Sequence, residues 1–129
     1  MNNELIEIGT IRSPLKKMED APLQGHEGGS DAKVVIHAQF HDALLGLSLG
    51  DEIVVITWLH HSNRGTLQVY PRNDNRNQVS GVFATRSAER PNPLGLHSVK
   101  ILSIEENLIS VAPLEAIDGT PVVDIKIKI

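Results

Sequence analysis

The sequence predicts an all-β fold: a small closed or partly open β-barrel with one short helix and a long N-terminal loop. Three observations lead to this prediction. Short runs of alternating or continuous apolar residues recur along the 129 residues, and turn-forming segments separate them. The apolar residues are mainly Val, Ile and Leu, with aromatic side chains at only 3% of the chain, and β-branched side chains favour strands. A single stretch has the residue spacing of a helix.

The N-terminal part of the chain predicts one strand followed by a long loop. Apolar and polar residues alternate from Leu5 to Arg12, as in a half-buried strand. From Ser13 to Asp31, three Gly and two Pro residues interrupt every period, so we expect a loop. A loop of this length is uncommon in a compact domain unless it binds something, and it is therefore a first indication of function.

The rest of the chain predicts short strands around one helix. The helix is expected at His41–Leu49, where four leucines precede Gly50. The continuous apolar run at Ile53–Leu59 predicts a buried central strand. Further strands are expected at 34–40, 66–70, 81–85, 97–104, 108–111 and 122–129. A chain of this length fits one compact domain, so we expect residues 1–129 to form a single β-barrel domain.

Composition excludes several kinds of chemistry. The sequence contains no Cys, which excludes disulfides, thiolate zinc sites, iron–sulfur clusters and thiol nucleophiles. No apolar run approaches the roughly 20 residues that span a membrane. The N-terminus lacks the basic and then apolar pattern of a signal peptide. We therefore expect a soluble, cytoplasmic protein without a membrane partner.

Charge is unevenly distributed along the chain. The formal net charge is −4, which is unfavourable for binding nucleic acid over the whole surface. The segment 60–100 is different, because it carries six Lys and Arg side chains and only two acidic ones. A phosphate-bearing partner should therefore contact this segment. The plain alternative is a solvated basic loop that binds nothing.

A proline-rich stretch in this basic segment predicts a rigid loop. Pro91 and Pro93 flank Asn92, and each proline restricts the residue before it to extended backbone angles. A stiff loop can present fixed hydrogen-bond donors to a carboxylate or phosphate at little ordering cost, here Arg86, Ser87, Arg90 and Asn92. The plain alternative is a stiffened connection whose arginines pair with surface acids.

A second polar segment, 114–126, combines a turn with a strand. Asp118 and Gly119 predict a tight turn. Alternation places Asp124 and Lys126 on one face of the strand that follows. This face could hold an acid and a base aimed at a substrate amine, or an exposed ion pair on an edge strand.

Two other patterns could indicate a metal site or a dinucleotide site, and neither pattern fits. The adjacent His60 and His61 do not predict a metal site, because neighbouring strand residues point to opposite faces and no thiolate completes a tetrahedral set. One of them is expected to line a pocket mouth at a strand end, or to be a capped surface residue. The glycines at 25, 28 and 29 are not a dinucleotide fingerprint, because no strand directly precedes them and no helix follows. A Rossmann methyltransferase is therefore disfavoured.

Taken together, these segments resemble the TsaA/TrmO family over essentially the whole chain. The motifs occur in family order: Ile8-Gly-Thr-Ile-Arg-Ser-Pro14, Asp42-Ala-Leu-Leu-Gly-Leu47, Thr57-Trp-Leu-His60, Gly81-Val-Phe-Ala-Thr-Arg-Ser87, Arg90-Pro-Asn-Pro-Leu-Gly-Leu96 and Asp118-Gly-Thr-Pro-Val-Val-Asp-Ile-Lys126. The resemblance implies a small β-barrel that forms a homodimer and binds S-adenosyl-L-methionine. It also implies methylation of N6 of threonylcarbamoyl-adenosine next to the anticodon of tRNA.

The resemblance further implies the residues of the site. The cofactor-binding positions that match the family are Leu23, Gln24, Gly25, His60, His61, Arg86, Leu96, Pro113, Leu114 and Glu115. Arg86 would hold the methionyl carboxylate and Glu115 the ammonium or ribose hydroxyls, with Leu96 and Leu114 covering the adenine. Contacts to tRNA are assigned to Arg64, Arg90 and Asn92. Asp118, Asp124 and Lys126 are the catalytic candidates, with either aspartate as acceptor of the amine proton.

Some positions depart from the family pattern. The usual ending with proline and tyrosine after the lysine becomes Asp124-Ile-Lys-Ile-Lys-Ile129, and the further tRNA-contacting region of longer members is absent from the sequence. Ala88 and Glu89 replace a proline and a basic residue, which weakens phosphate binding by this loop. One alternative is therefore a non-catalytic S-adenosylmethionine-binding or RNA-binding regulatory module. Another is an interaction domain in which the barrel is only a scaffold.

Overall fold

A computed structural model describes residues 3–14, 30–70 and 78–129. These residues form eight strands and two short 3₁₀ helices, Ala38–Leu44 and Val82–Ala84. The strands are β1 (Gly9–Arg12), β2 (Ser30–Ile36), β3 (Glu52–Trp58), β4 (Gln68–Val69), β5 (Ser80–Gly81), β6 (Leu94–Glu105), β7 (Leu108–Leu114) and β8 (Pro121–Ile127). Six of them close into an antiparallel barrel in the order β1-β2-β7-β6-β3-β8, and β4 and β5 pair separately as a two-stranded ribbon.

Alternating side chains fill the barrel, as the sequence pattern predicts. In β3, Ile53, Val55 and Thr57 point inward, and the residues between them are partly or fully exposed. The buried core cluster of the described residues consists of Ile, Val, Leu and Ala without an aromatic ring. Burial of these branched side chains supplies the main stabilisation of the fold. The predicted all-β barrel is therefore confirmed.

The barrel has two ends that differ in what they carry. At one end, here called the upper end, β1, β3 and β7 stop at Arg12, Trp58 and Leu114, and β2, β6 and β8 start at Ser30, Leu94 and Pro121. Three connections, 13–29, 59–93 and 115–120, therefore begin and end at the upper end. The predicted rigid loop and the Asp118 turn lie on two of these connections.

Several predicted elements differ in their bounds or type. The predicted helix His41–Leu49 is a 3₁₀ helix at Ala38–Leu44, in which the Phe40 amide donates to the His37 carbonyl at 2.9 Å. The first strand is confined to Gly9–Arg12, and β2 begins four residues earlier than expected, at Ser30. Most of the predicted loop Ser13–Asp31 lies outside the described residues.

The strand predicted at 81–85 is wrong beyond its first residue. β5 ends at Gly81, and residues Val82–Ala84 form the second 3₁₀ helix. The backbone amide and the hydroxyl of Thr85 both donate to the Val82 carbonyl, at 3.1 and 3.0 Å. Local bonds of this kind compete with a strand ladder, so the apolar run turns instead of extending. Within the described ranges, no helix is long and apolar enough to cross a membrane.

Candidate functional site

A chain of polar side chains runs from the barrel interior to the upper end. Thr57 on β3 and His97 on β6 are buried, and their Oγ1 and Nε2 atoms lie 2.7 Å apart. His97 Nδ1 lies 3.2 Å from Oε1 of Glu115, whose side chain is 21% exposed. A carboxylate only accepts hydrogen bonds, so His97 Nδ1 is protonated and donates a hydrogen bond to Glu115. In the neutral ring, Nε2 then accepts from the Thr57 hydroxyl, and both ring nitrogens are partnered.

Gly95 leaves the space that this chain of polar groups needs. Gly95 pairs with Thr57 across β3 and β6. A Cβ atom at position 95 would lie 2.6 Å from Thr57 Oγ1 and 2.8 Å from His97 Nε2. Both separations are shorter than van der Waals contact allows, so any side chain here would push the hydroxyl and the imidazole apart.

Sequence reasoning missed His97 and Thr57, although a signal was present. The pattern Leu94-Gly-Leu-His-Ser-Val-Lys100 alternates, which places His97 on the same face as the apolar Val99. A histidine on the inward face of a strand needs partners for both ring nitrogens. Thr57 is the inward polar residue at the paired end of β3 and therefore supplies one of them.

Two predicted substrate-binding residues, Arg64 and Asn92, lie together. The Arg64 guanidinium donates from Nε to the Pro91 carbonyl at 2.7 Å and from Nη2 to Asn92 Oδ1 at 3.1 Å. Its carbon Cζ also lies 4.9 Å from the centre of the Trp58 ring. These contacts join the start of the 59–93 connection to its proline-rich end, and both side chains remain exposed.

The structure gives Arg90 a structural role that the sequence did not indicate. Its Nη1 donates to the carbonyls of Thr85 and Ser87, at 3.1 and 2.8 Å, and its Nη2 donates to the Val82 carbonyl at 2.8 Å. These bonds hold the second 3₁₀ helix and the loop that follows it. The predicted contact of Arg90 with substrate is therefore not supported, because its guanidinium already binds three carbonyls.

Arg86, in the same loop, is different. Its side chain is exposed, and no described residue forms a hydrogen bond or an ion pair with it. The predicted cofactor residues His60 and His61, which follow β3, are also exposed, and their ring centroids lie 3.9 Å apart with the ring planes tilted by 41°. Next to them, the buried Oγ of Ser62 has no hydrogen-bond partner among the residues that the structure describes. Buried polar atoms normally have partners, so the Ser62 hydroxyl is suited to a polar group of a ligand.

The two leucines that were predicted to cover adenine point in different directions. Leu96 is half exposed on the outer face of β6 and lies opposite Ile56 of β3. Leu114 is fully buried in the core, because β7 extends to this residue and ends in its inward-facing position. The predicted adenine contact of the Leu114 side chain does not agree with this burial. Pro113, which precedes Leu114 on β7, is exposed.

The catalytic candidates occupy two places. Asp118 accepts a hydrogen bond from the Ser13 amide at 2.9 Å, which joins the 115–120 connection to the end of β1. Asp124 and Lys126 form an ion pair of 3.5 Å on the outer wall of β8, with side chains 50% and 68% exposed. An exposed pair of this kind contributes little to stability. The exposed ion pair is therefore the reading that the geometry favours for these two residues.

A cleft of about 640 Å³ lies beside Asp118 and has the size of many ligand sites. Its lining includes the exposed charged side chains of Arg12, Asp31 and Lys33, and of the predicted site residues that the structure describes it contains Asp118 alone. We therefore do not place the cofactor there. In the described ranges, no three His, Asp or Glu side chains are grouped to hold a metal ion. Leu23, Gln24 and Gly25 lie outside the described residues, so their assignment stays a prediction.

Comparison with known proteins finds one family. The family model described as "tRNA-methyltransferase O N-terminal domain" matches residues 10–128. A relative from Methanothermobacter thermautotrophicus, named "Probable S-adenosyl-L-methionine-binding protein", is 42% identical over 119 residues, which are 92% of this chain and 85% of the relative. A relative of the same name from Archaeoglobus fulgidus is 42% identical over 123 residues, which are 95% of this chain and 33% of the relative.

Solved structures give the same result for the fold. The crystal structure of TrmO from Pseudomonas aeruginosa matches this chain with a TM-score of 0.79 at 26% identity. The match covers 100% of this chain and 57% of that structure. The chain thus spans little more than half of that enzyme and one third of the Archaeoglobus protein.

Proposed function

Because the chain belongs to the tRNA-methyltransferase O N-terminal domain family, we propose that it binds S-adenosyl-L-methionine at the upper end of the barrel. Its reaction would be methylation of N6 of threonylcarbamoyl-adenosine beside the anticodon of tRNA. The observation that carries the proposal is that two of the connections that begin at this end carry groups of the two charges that the cofactor needs. One is the carboxylate of Glu115, fixed by the buried His97, and the other is the exposed guanidinium of Arg86, which no described residue binds.

These two groups fit the charges of the methionyl part of the cofactor. That part carries an ammonium and a carboxylate, so a site for it needs one fixed acid and one available base. Glu115 supplies the acid and Arg86 the base. The buried Ser62 hydroxyl, unpartnered within the described residues, supplies a further polar group beside His60 and His61. The names of the two archaeal relatives support the choice of S-adenosyl-L-methionine as the ligand.

For methyl transfer, the chain then has to align the methyl donor with the acceptor nitrogen and to provide a proton acceptor. S-adenosylmethionine supplies an electrophilic methyl group, so transfer needs positioning and a proton acceptor, without a covalent intermediate on the protein. As the new N–C bond to N6 forms, the bond between the methyl group and sulfur breaks and S-adenosylhomocysteine leaves. The N6 nitrogen, which already carries the carbamoyl group, loses its one proton to a nearby carboxylate. Asp118 and Asp124 are the candidates, and Lys126 would keep Asp124 oriented through their ion pair.

Asn replacements identify the proton acceptor. We expect Asp118→Asn or Asp124→Asn, whichever removes the acceptor, to slow single-turnover methyl transfer about 100- to 10,000-fold, the usual contribution of a general base. Cofactor affinity should stay unchanged, and in Asp118→Asn the side-chain amide oxygen can still accept the bond from the Ser13 amide. Lys128→Gln is the control, since it breaks the exposed ion pair with Glu52 but leaves both carboxylates and Lys126 in place. Parental rates in both Asn variants would exclude a carboxylate acceptor at either position.

Contacts with tRNA are proposed for the basic segment 60–100. Arg64 and Asn92 are exposed, and the Arg64 guanidinium donates both to Asn92 Oδ1 and to the Pro91 carbonyl. Such a preorganised pair can contact a phosphate without further ordering. A tRNA substrate is also the basis on which we propose a cytoplasmic location.

A homodimer is proposed from the outer face of β6. Leu94, Leu96 and Leu102 are each at least 40% exposed along this one strand. An apolar stripe of this kind favours a protein–protein contact, and a second copy of the chain is the partner that the family resemblance implies. The mass in solution, measured by sedimentation equilibrium, tests this assignment.

A second candidate function is a regulatory module that binds S-adenosylmethionine without methyl transfer. The archaeal relatives are named only as binding proteins, and the predicted acid–base pair of β8 is an exposed ion pair. Calorimetry with S-adenosylmethionine and a methyl-transfer assay on tRNA that carries threonylcarbamoyl-adenosine separate the two. Heat of binding without transfer would indicate the regulatory module, and both signals together would indicate the enzyme.

A further inference from the structure

The aromatic residues of this chain are concentrated outside the barrel core. The sequence has only four, two Phe, one Trp and one Tyr. Phe40 packs against the core from one side. The other three, Trp58, Tyr70 and Phe83, occur at the end of β3 and in the connection 59–93, which overlaps the basic segment 60–100. Three of the four rings therefore lie in one stretch of the sequence, and none of the three belongs to the core cluster of the described residues.

Phe83 is the most conspicuous of these rings. Its side chain is 85% exposed, so it gives up the stabilisation that burial of a phenyl ring would provide. Its neighbour Val82 is buried, and the Val82 amide donates to the Leu67 carbonyl at 2.9 Å. The residue that precedes the exposed ring, Val82, is therefore held firmly in place.

The turn that carries Phe83 is also held in place from the other side. Arg90 binds the carbonyls of Val82, Thr85 and Ser87, which follow one another around this turn. A ring on a fixed turn loses little conformational freedom when a ligand covers it. Phe83 is thus presented in a manner suited to binding.

The charge of the basic segment 60–100, which contains this turn, favours a nucleic acid as the partner. The described residues of the segment 60–100 carry four basic side chains and one acidic one, Glu89. Aromatic rings among basic side chains match a single-stranded nucleotide, since the ring stacks on the base and the cations attract the phosphates. A second copy of this chain is a poorer match, because two copies would bring like charges together.

We propose that Phe83 is a stacking platform for an unpaired base of the RNA that this protein binds. The inference rests on the proposed function in one respect, that the substrate is RNA. It goes further by naming the side chain that receives a base outside the cofactor site. The anticodon loop offers unpaired bases, so the stacked base would be a neighbour of the adenosine that is methylated.

The test compares side chains with and without an aromatic ring at position 83. Phe83→Leu keeps an apolar side chain but removes the ring, and Phe83→Tyr keeps the ring. The probe is an anticodon stem-loop that carries threonylcarbamoyl-adenosine, and its affinity is measured by fluorescence anisotropy. We expect Phe83→Leu to bind about 5- to 150-fold more weakly, as for loss of one stacked base, and Phe83→Tyr to bind as the parent chain does.

Three further readouts separate this inference from its rivals. S-adenosylmethionine affinity, measured by calorimetry, should be the same in all three proteins; a fall in Phe83→Leu would place the ring in the cofactor site and overturn the inference. A fall in mass by sedimentation would make it a subunit contact and overturn it as well. Equal RNA affinity of parent and Phe83→Leu, with methyl transfer intact in the parent, would refute the stacking role but leave the proposed function standing. A parent chain that binds no RNA would refute both.

Discussion

The Arg86→Met variant is expected to bind S-adenosylmethionine about 10- to 100-fold more weakly than the parent chain, and to unfold at the same temperature. The affinity falls because a charge-assisted bond to the methionyl carboxylate is lost. The unfolding temperature stays because no described residue bonds or pairs with the Arg86 side chain. Calorimetric titration with the cofactor and a thermal unfolding scan without it measure the two effects.

Arg90→Met is the matched control, since it removes the same group from the same loop. Arg90 binds three backbone carbonyls. We therefore expect this variant to lose about 1–3 kcal/mol of unfolding free energy. Arg90→Lys should recover only part of that loss, because an ammonium does not reproduce the planar fork of donors. The assignment would be wrong if Arg86→Met lowered stability, or if it bound the cofactor as tightly as the parent.

These two arginines also show where sequence reasoning stops. Both stand in one proline-stiffened loop, and nothing in the local sequence distinguishes a donor for a ligand from a clamp on the backbone. The difference arises because residues 82–87 turn back toward Arg90 instead of extending as a strand. That turn depends on the amide of Val82 meeting the Leu67 carbonyl, a contact between residues 15 positions apart. Contacts of this kind are not visible in a window of alternating residues.

The barrel itself was accessible from sequence for a simple reason. The first strand alternates with period two and reports its inward face directly, since Ile11 is buried between Thr10 and Arg12. In β3 the apolar run is continuous, and the structure decides that Ile53, Val55 and Thr57 are the buried residues. The family resemblance assigns the Leu114 side chain to the adenine, whereas β7 extends to this residue and its side chain is buried in the core. His97 was missed because its partners, Thr57 and Glu115, come from two other segments of the chain. Alternation in the sequence predicts which face of a strand a residue occupies, and the pairing of strands across the barrel decides which residues it contacts.

The second large effect is expected at this buried chain of polar groups. The His97→Leu variant leaves the fully buried Thr57 hydroxyl without its partner, which should cost about 1–3 kcal/mol of unfolding free energy. It also removes the Nδ1 donor that holds Glu115, so we expect the affinity for S-adenosylmethionine to fall. Urea unfolding and calorimetric titration measure the two quantities on the same preparation.

A double variant separates the two consequences. Thr57→Val removes the hydroxyl with little change of shape, and on its own it leaves His97 Nε2 unpaired. Replacement of both partners by apolar groups is much less costly than removal of one, so Thr57→Val with His97→Leu should be more stable than the sum of the single effects predicts. Cofactor affinity should not recover, because Glu115 still lacks the imidazole. Simple addition of the stability losses would mean that the two side chains do not interact. Recovery of affinity together with stability would mean that His97 acts through the fold alone and does not position Glu115.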